Sequence, residues 1–217
     1  MDVDVVLPCR DEAAALPALL AAFPPGLVPL VVDNGSRDGT AGVARSLGAS
    51  VVHEPAPGYG AAVHTGVLAA RPGPVAVIDA DGSLDPAGLV ELVHLVADGR
   101  ADLAVGRRRP VERGAWPWHA RAGTALVAAR LRRETGVLVH DIAPVRVCDR
   151  DALLRLGVKD RRFGYPLELL VRAGRAGWTV VERDVPYGCR AAGTRSKVSG
   201  SIRGSWRAAR DFRAVLS

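Results

Sequence analysis

The chain has 217 residues, 48% of them hydrophobic and 24% charged, a balance that excludes a disordered, collagenous or disulfide-stapled protein. A chain of this length buries roughly 70% of its unfolded surface, so a single domain over residues 1–217 with its own core is expected. The net charge of +6 is unevenly spread. Residues 1–99 carry 4 Arg against 12 Asp and Glu, and residues 100–217 hold the other 25 basic and 11 acidic side chains, which predicts a cation site facing an anion site.

In chain order, Val3 to Leu7 reads as a strand, Ala13 to Phe23 as a helix, Val28 to Asp33 as a strand, Thr40 to Leu47 as a helix and Ser50 to Glu54 as a strand. Ala61 to Ala70 is helical, Pro74 to Asp79 a strand, Pro86 to Ala97 a helix and Leu103 to Gly106 a strand. This alternation predicts an α/β fold with a mainly parallel central sheet and helices on both faces. The second half is less regular. Arg107 to Trp118 reads as a long loop, followed by a helix near Arg121 to Arg133, a strand near Pro144 to Val147, helices Asp149 to Leu156 and Pro166 to Ala176, and a strand Thr179 to Val185. After a loop from Gly188 to Lys197, Ser201 to Leu216 has a helical pattern with Ile202, Trp206, Phe212 and Leu216 beside Arg203, Arg207, Arg210 and Arg213. An apolar face next to an arginine stripe is the composition of a helix that lies on an anionic membrane surface, and equally of a terminal helix packed on the sheet.

Ligands of parallel sheets bind beyond the carboxyl ends of the strands, where Pro8 to Glu12, Asp33 to Thr40 and Asp79 to Ser83 all fall. Asp79 and Asp81 form a D-x-D pair at the end of an apolar strand. Two like charges about 4 Å apart repel by about 4 kcal/mol at an effective dielectric of about 20, so a cation or hydrogen bonds must offset them. Carboxylates without nearby Cys or paired His favour Mg2+ or Mn2+, shared with substrate phosphates. Asp33 is suited to accept hydrogen bonds from a base, and Asp38 or Thr40 to cap the helix that follows. Gly58 and Gly60 open a helix without the dinucleotide spacing, which argues against NAD and leaves either a tight turn or close approach to a nucleotide.

These motifs together resemble a family-2 glycosyltransferase of GT-A fold, in the branch of dolichyl- and polyprenyl-phosphate mannose or glucose synthases. The resemblance runs through Val6 to Glu12, Val31 to Thr40, Gly58 to Gly66, Asp79 to Asp81, Gly106-Arg107, Asp141 to Arg146, Gly164 to Glu168 and Arg195 to Gly200. Three positions depart from it: Asp11 stands where Asn is usual, Asn34 where a second Asp is usual, and Ser83 where a longer polar side chain often completes the metal shell. The resemblance implies a nucleotide-diphosphate sugar donor held by residues 1–106, an acceptor half over 107–200 and the terminal helix over 201–217. Pro8, Arg10, Glu12 and Asp33 would line the base and ribose pocket, with Gly58, Gly60 and Ala80 against the donor. Asp79 and Asp81 would hold the metal. Arg107, Arg121, Arg195 and Lys197 would supply positive charge to the diphosphate and to a phosphate acceptor. A polyprenyl phosphate needs no general base, whereas a hydroxyl acceptor does; Asp141 is then the first candidate and Glu168 the second, and Asp141 paired with Arg146 is the structural alternative.

Two other classes fit less well. A sugar nucleotidyltransferase requires a glycine-rich loop where Pro8 to Glu12 stand; a non-catalytic nucleotide- or nucleic-acid-binding module could use the basic half, but 5% aromatic residues form no stacking series and the acidic half would repel a polyanion. Cys9, Cys148 and Cys189 are odd in number and form no C-x-x-C pair. With no signal-like start and no spanning segment, a cytoplasmic protein is expected, peripheral on the inner face of the membrane if the terminal helix docks there.

Overall fold

The computed structural model describes residues 2–192. Strands β1 (Val3–Cys9), β2 (Leu27–Asp33), β3 (Ser50–His53) and β4 (Pro74–Val77) alternate with helices α1 (Leu16–Ala21), α2 (Thr40–Ser46) and α3 (Tyr59–Ala69). A short 3-10 turn, Pro86–Gly88, leads into α4 (Leu89–Ala97). Then come β5 (Leu103–Pro110), α5 (Trp118–Thr135), β6 (Val145–Asp149), α6 (Arg150–Leu156), α7 (Tyr165–Arg175) and β7 (Val180–Tyr187).

The strands form one sheet in the order β3-β2-β1-β4-β6-β5-β7. Pairing is parallel from β3 to β4 and between β5 and β7; only β6 is antiparallel, to β4 on one side and β5 on the other. The inner strands read as continuous apolar runs because both faces are covered. Val3, Val5 and Leu7 of β1 pack with Leu16 of α1, Ala44 of α2 and Leu89 and Leu92 of α4. Val6 faces the opposite layer, with Val63 and Val67 of α3, Leu131 of α5 and Leu167 and Leu170 of α7.

The topology places the chemistry. Parallel pairing brings the carboxyl ends of β1, β2 and β4 to one edge, with Cys9 opposite Asp33 and Val6 opposite Val77. Antiparallel β6 then runs back beside β4, setting Arg146 opposite Val77, just below Asp79 and Asp81.

Two sequence expectations need correction. The loop expected from Arg107 is strand as far as Pro110, paired with β7 from Leu103 opposite Val180 to Pro110 opposite Tyr187. Three successive arginines and a proline conceal that strand, and it crosses the expected division between residues 106 and 107. The first helix begins at Leu16, three residues later than expected, because residues 11–14 make a turn that closes on the loop after β2.

Candidate active site

The loops after β1 and β2 are laced together. Asp11, in the left-handed region at φ 56, donates its N–H to Ser36 Oγ (3.0 Å) and accepts from Arg37 N (2.7 Å). Glu12 N donates to Thr40 Oγ1 (3.0 Å), and Ala13 N to Asp38 Oδ2 (3.0 Å). Asp38 Oδ1 in turn accepts from Thr40 N (3.0 Å) within the turn, but neither residue caps α2 as expected: Gly39, in the left-handed region, stands at the cap position and no side chain caps the helix. Within this frame Asp33 is buried at the end of β2; Oδ1 accepts from Ser36 N (3.2 Å) and Oδ2 lies 3.4 Å from His53 Nδ1. Pro8 is half-buried and Arg10 exposed on the same edge, with Glu12 buried behind them.

Asn34 is a structural clasp. Its amide donates to Glu54 O (2.9 Å) and Ala56 O (2.7 Å), and its Oδ1 accepts from Gly58 N (2.9 Å). A carboxylate could accept the last bond but could make neither of the first two.

Gly58 and Gly60 make their close approach to the chain's own backbone. A Cβ at Gly58 would lie 2.1 Å from Arg161 O, and one at Gly60 2.6 Å from Asp160 O. Gly60 N and Ala61 N donate to Arg162 O (3.0 Å) and Arg161 O (2.9 Å). The first amides of α3 are therefore spent on residues 161 and 162 rather than left facing a nucleotide. Glu168 belongs to this same turn: it accepts from the N–H groups of Lys159 and Asp160 and from Arg172 Nε (2.5 Å), and it does not line the catalytic edge.

Past β4, Asp79 Oδ1 accepts from the Tyr59 hydroxyl (3.0 Å). Arg146 donates to that hydroxyl and, through Nη1, to Ala143 O (2.9 Å), with its whole side chain buried. Asp81 is buried too. Its Oδ1 accepts from Ser83 N (3.0 Å) and Ser83 Oγ (2.5 Å), and Arg190 Nη1 lies 3.0 Å from its Oδ2. The Asp79 carboxyl is pushed above the usual carboxylate range, first by removal from water and then by the charge of Asp81, against the opposing pull of Arg146, Tyr59 and Arg190. A divalent cation would relieve both raising effects, so the pair fits Mg2+ or Mn2+. No third acid, His or Cys joins them among the described residues, so an ion held here would need further oxygen ligands from a donor phosphate or water.

A cleft of about 360 Å³ is lined by Arg107, Arg108, Arg109, Trp116, Trp118, Arg121 and His140, and the charge of Asp79 is felt at Arg108 on its wall. Arg108 stacks 4.1 Å from the Trp116 ring, and Trp116 meets Tyr187 edge-on at 6.1 Å. Arg108 also lies 5.5 Å from the Tyr187 ring, and Arg190, three residues further along the same turn, reaches Asp81 Oδ2 at 3.0 Å. Asp141 is buried and pairs with Arg108, not with Arg146. It accepts from Arg108 N (3.0 Å), Nε (2.8 Å) and Nη2 (2.7 Å), and from Ile142 N (2.7 Å). His140 Nδ1 lies 2.7 Å from Glu182 Oε2. Arg195, Lys197 and the helical pattern Ser201 to Leu216 lie outside the described residues.

A family model, glycosyl transferase family 2, matches residues 4–157. The chain belongs to that family. It is 61% identical over 215 residues to an uncharacterized glycosyltransferase of Mycobacterium tuberculosis, covering 99% of this chain and 98% of the other. It is 33% identical to the polyprenol monophosphomannose synthase of Mycolicibacterium smegmatis (91% and 81% covered) and 30% identical to the dolichyl-phosphate hexose transferase of Haloferax volcanii (89% and 86%). The fold is GT-A. The glucosyl-3-phosphoglycerate synthase of Mycobacterium tuberculosis, crystallised with Mn2+, UDP and glucosyl-3-phosphoglycerate, superposes with a TM-score of 0.77 over 99% of this chain and 78% of that one, at 23% identity.

In this glycosyltransferase the structure adds Tyr59, Arg108, Trp116, Arg146 and Arg190 to the residues singled out from sequence. Arg146 carried a usable signal, a charge between Val145 and Val147 in an apolar strand, since buried arginine is rare unless paired. Arg190 carried none, because its partner Asp81 is more than a hundred residues away in the chain.

Proposed function

We propose that this glycosyltransferase moves a hexose from a nucleoside-diphosphate donor to a polyprenyl phosphate, with inversion, as a peripheral protein on the cytoplasmic face of a membrane. The observation that carries this reading is the run of contacts, from Arg108 to Trp116 and Tyr187 and on along the turn to Arg190, that leads from a cleft lined by Arg107, Arg108 and Arg121 to Asp81. Asp79 and Asp81 would hold the divalent ion, which when bound would stabilise charge on the leaving diphosphate. Pro8, Arg10, Glu12 and Asp33 frame the base and ribose. The arginines of the cleft, joined by Arg195 and Lys197 of the following segment, would orient the acceptor phosphate and screen its approach to the anionic donor.

The reaction is a single displacement. An acceptor phosphate oxygen forms a bond to the anomeric carbon while the bond from that carbon to the diphosphate oxygen breaks and its electron pair leaves with the diphosphate. A phosphate oxygen already ionised at neutral pH has no proton to lose, so Asp141 can serve as the anchor of Arg108 instead of as a base. Trp118, which lines the cleft with the arginines, and Leu126 further along α5 are exposed apolar side chains that also suit an acceptor whose phosphate lies at a lipid surface.

One observation favours a second reading, a hydroxyl acceptor. His140 lines the cleft with its imidazole paired to Glu182, the arrangement of an oriented base. One assay separates the two. The full chain is incubated with labelled nucleoside-diphosphate hexoses, Mn2+ or Mg2+, and either polyprenyl phosphate or unphosphorylated sugars. Label is expected in the lipid product, lost with chelator, and reduced about 100-fold or more by Asp81→Asn. Transfer to the sugars alone would establish the second reading.

A further inference from the structure

The carboxylate assigned to the metal already faces a cation of the chain itself. Ser83 takes Asp81 Oδ1 through both its N–H and its hydroxyl, and Arg190 Nη1 covers Oδ2 at 3.0 Å. Arg190 sits on the turn after β7, and backbone contacts stitch that turn to the D-x-D loop. Gly188 N donates to Ser83 O (2.9 Å), Ala191 N donates to Asp81 O (3.0 Å), and Leu84 bridges Tyr187. The contact is close: a Cβ at Gly82, whose φ is 77, would lie 3.3 Å from Ala191 Cβ. The guanidinium is thus delivered to the metal carboxylate by an element of the acceptor half.

A guanidinium against Oδ2 and a divalent ion bound through the same oxygen exclude each other by charge and by space. Once the ion takes Asp81, Arg190 loses its partner within reach of the position the donor's diphosphate must occupy. A nucleoside diphosphate bound to one divalent ion still carries net negative charge, which a freed guanidinium can meet. We propose, resting on the metal-dependent reading above, that Arg190 is an internal stand-in for the metal. It neutralises Asp81 in the metal-free protein, yields that carboxylate when the ion arrives, and turns to the diphosphate, releasing the turn at residues 188–192 from the D-x-D loop.

The test uses the metal-free full chain. Mn2+ affinity is measured by electron paramagnetic resonance of the free ion, followed by affinity for uridine and guanosine diphosphates with Mn2+ present. Arg190→Gln is expected to bind Mn2+ about tenfold more tightly than wild type and to bind the Mn2+-dependent nucleotide about tenfold less tightly. Arg190→Lys, which keeps the charge, should stay close to wild type. Hydrogen exchange at residues 188–192 should speed up in wild type when Mn2+ is added, and in Arg190→Gln should already be fast without it. Arg183→Gln removes the same charge from β7 at an exposed ion pair with Glu91 and serves as control. The proposal is overturned if Arg190→Gln leaves Mn2+ affinity unchanged, or if Arg183→Gln tightens it equally. If Asp81→Asn binds Mn2+ as wild type does, the metal assignment itself fails, a result separate from either.

Discussion

At the scale of single residues, Asn34 shows how one atom's chemistry separates a structural position from a binding one. By resemblance a second acid is usual there. The structure gives the departure a physical reason: the side-chain amide donates to two carbonyls and accepts from Gly58 N, clasping the end of β2 to the turn before α3. Asn34→Asp would set a carboxylate against Glu54 O and Ala56 O. The expected result is destabilisation by about 1–3 kcal/mol for each donor lost, read as a lower urea midpoint with unchanged m value, together with weaker nucleotide binding because Asp33 shares the loop. An unchanged midpoint would mean that the turn rearranges freely. The D-x-D pair was legible from sequence because carboxylates two positions apart past an apolar strand are costly without a cation. Of its supports, Arg146 showed only as a charge within an apolar strand, and Tyr59 and Arg190 not at all, since each comes from a different element and only the folded sheet brings them together.

At the scale of elements, strands β1 to β4 and the helices between them follow from apolar runs and periodicity, since their pattern is set by burial on both faces. β5 departs because beyond Gly106 it pairs with β7 alone, so Arg107 to Pro110 need not be apolar to remain strand. A charged pair also fixes the crossover into β4. Asp4 of β1 is nearly buried and accepts from Arg71 N (2.6 Å), Nε (3.0 Å) and Nη2 (2.6 Å) at the end of the α3 connection. Removal from water acts to raise the Asp4 carboxyl, but the hydrogen bonds and charge of Arg71 overcome it and hold the group below the usual carboxylate range. A carboxyl depressed in the folded state adds stability above its unfolded value, and that stability is lost as pH falls through the folded one. Arg71→Ala should therefore lower the thermal midpoint at pH 7, and its deficit against wild type should shrink below about pH 4 as both proteins protonate Asp4. A deficit independent of pH would assign the effect to packing of the arginine stem.

At the scale of the whole molecule, the division into acidic and basic halves has a spatial meaning. The acidic half carries the D-x-D loop, the basic half supplies the arginine cleft, and β6 and the turn after β7 bring residues of the second half against the first. The sequence predicted the two signs of charge but not the surface beside them, because α5 has no clear apolar stripe to read. From Trp118 to Leu126 it is largely open to solvent, with Trp118 79% and Leu126 74% exposed, and Val111 is 63% exposed in the segment before it. Arg121 on the same helix and Arg107 and Arg109 on β5 border the cleft there. Large apolar side chains beside guanidinium groups favour an anionic lipid surface, with the apolar tips entering the interface and the arginines meeting headgroups. A polyprenyl phosphate acceptor would present its own phosphate in that plane, within reach of the cleft. Among the described residues no helix is long and apolar enough to cross a membrane, so surface adsorption is the testable form of the contact. The full chain should sediment with vesicles containing anionic lipid at low salt, and binding should fall as salt screens the charges over a length of about 10 Å at 0.1 M. Trp118→Ala with Leu126→Ala should weaken binding at low salt while leaving Mn2+-dependent nucleotide affinity unchanged, because neither side chain touches the donor site. Removal of residues after Gly200 separates the α5 face from the terminal arginine-striped segment. If the truncated chain still binds and the double variant does not, α5 is the docking surface; if only truncation abolishes binding, the terminal segment is. A full chain that stays in the supernatant at low salt would refute the membrane reading and leave a soluble acceptor in its place.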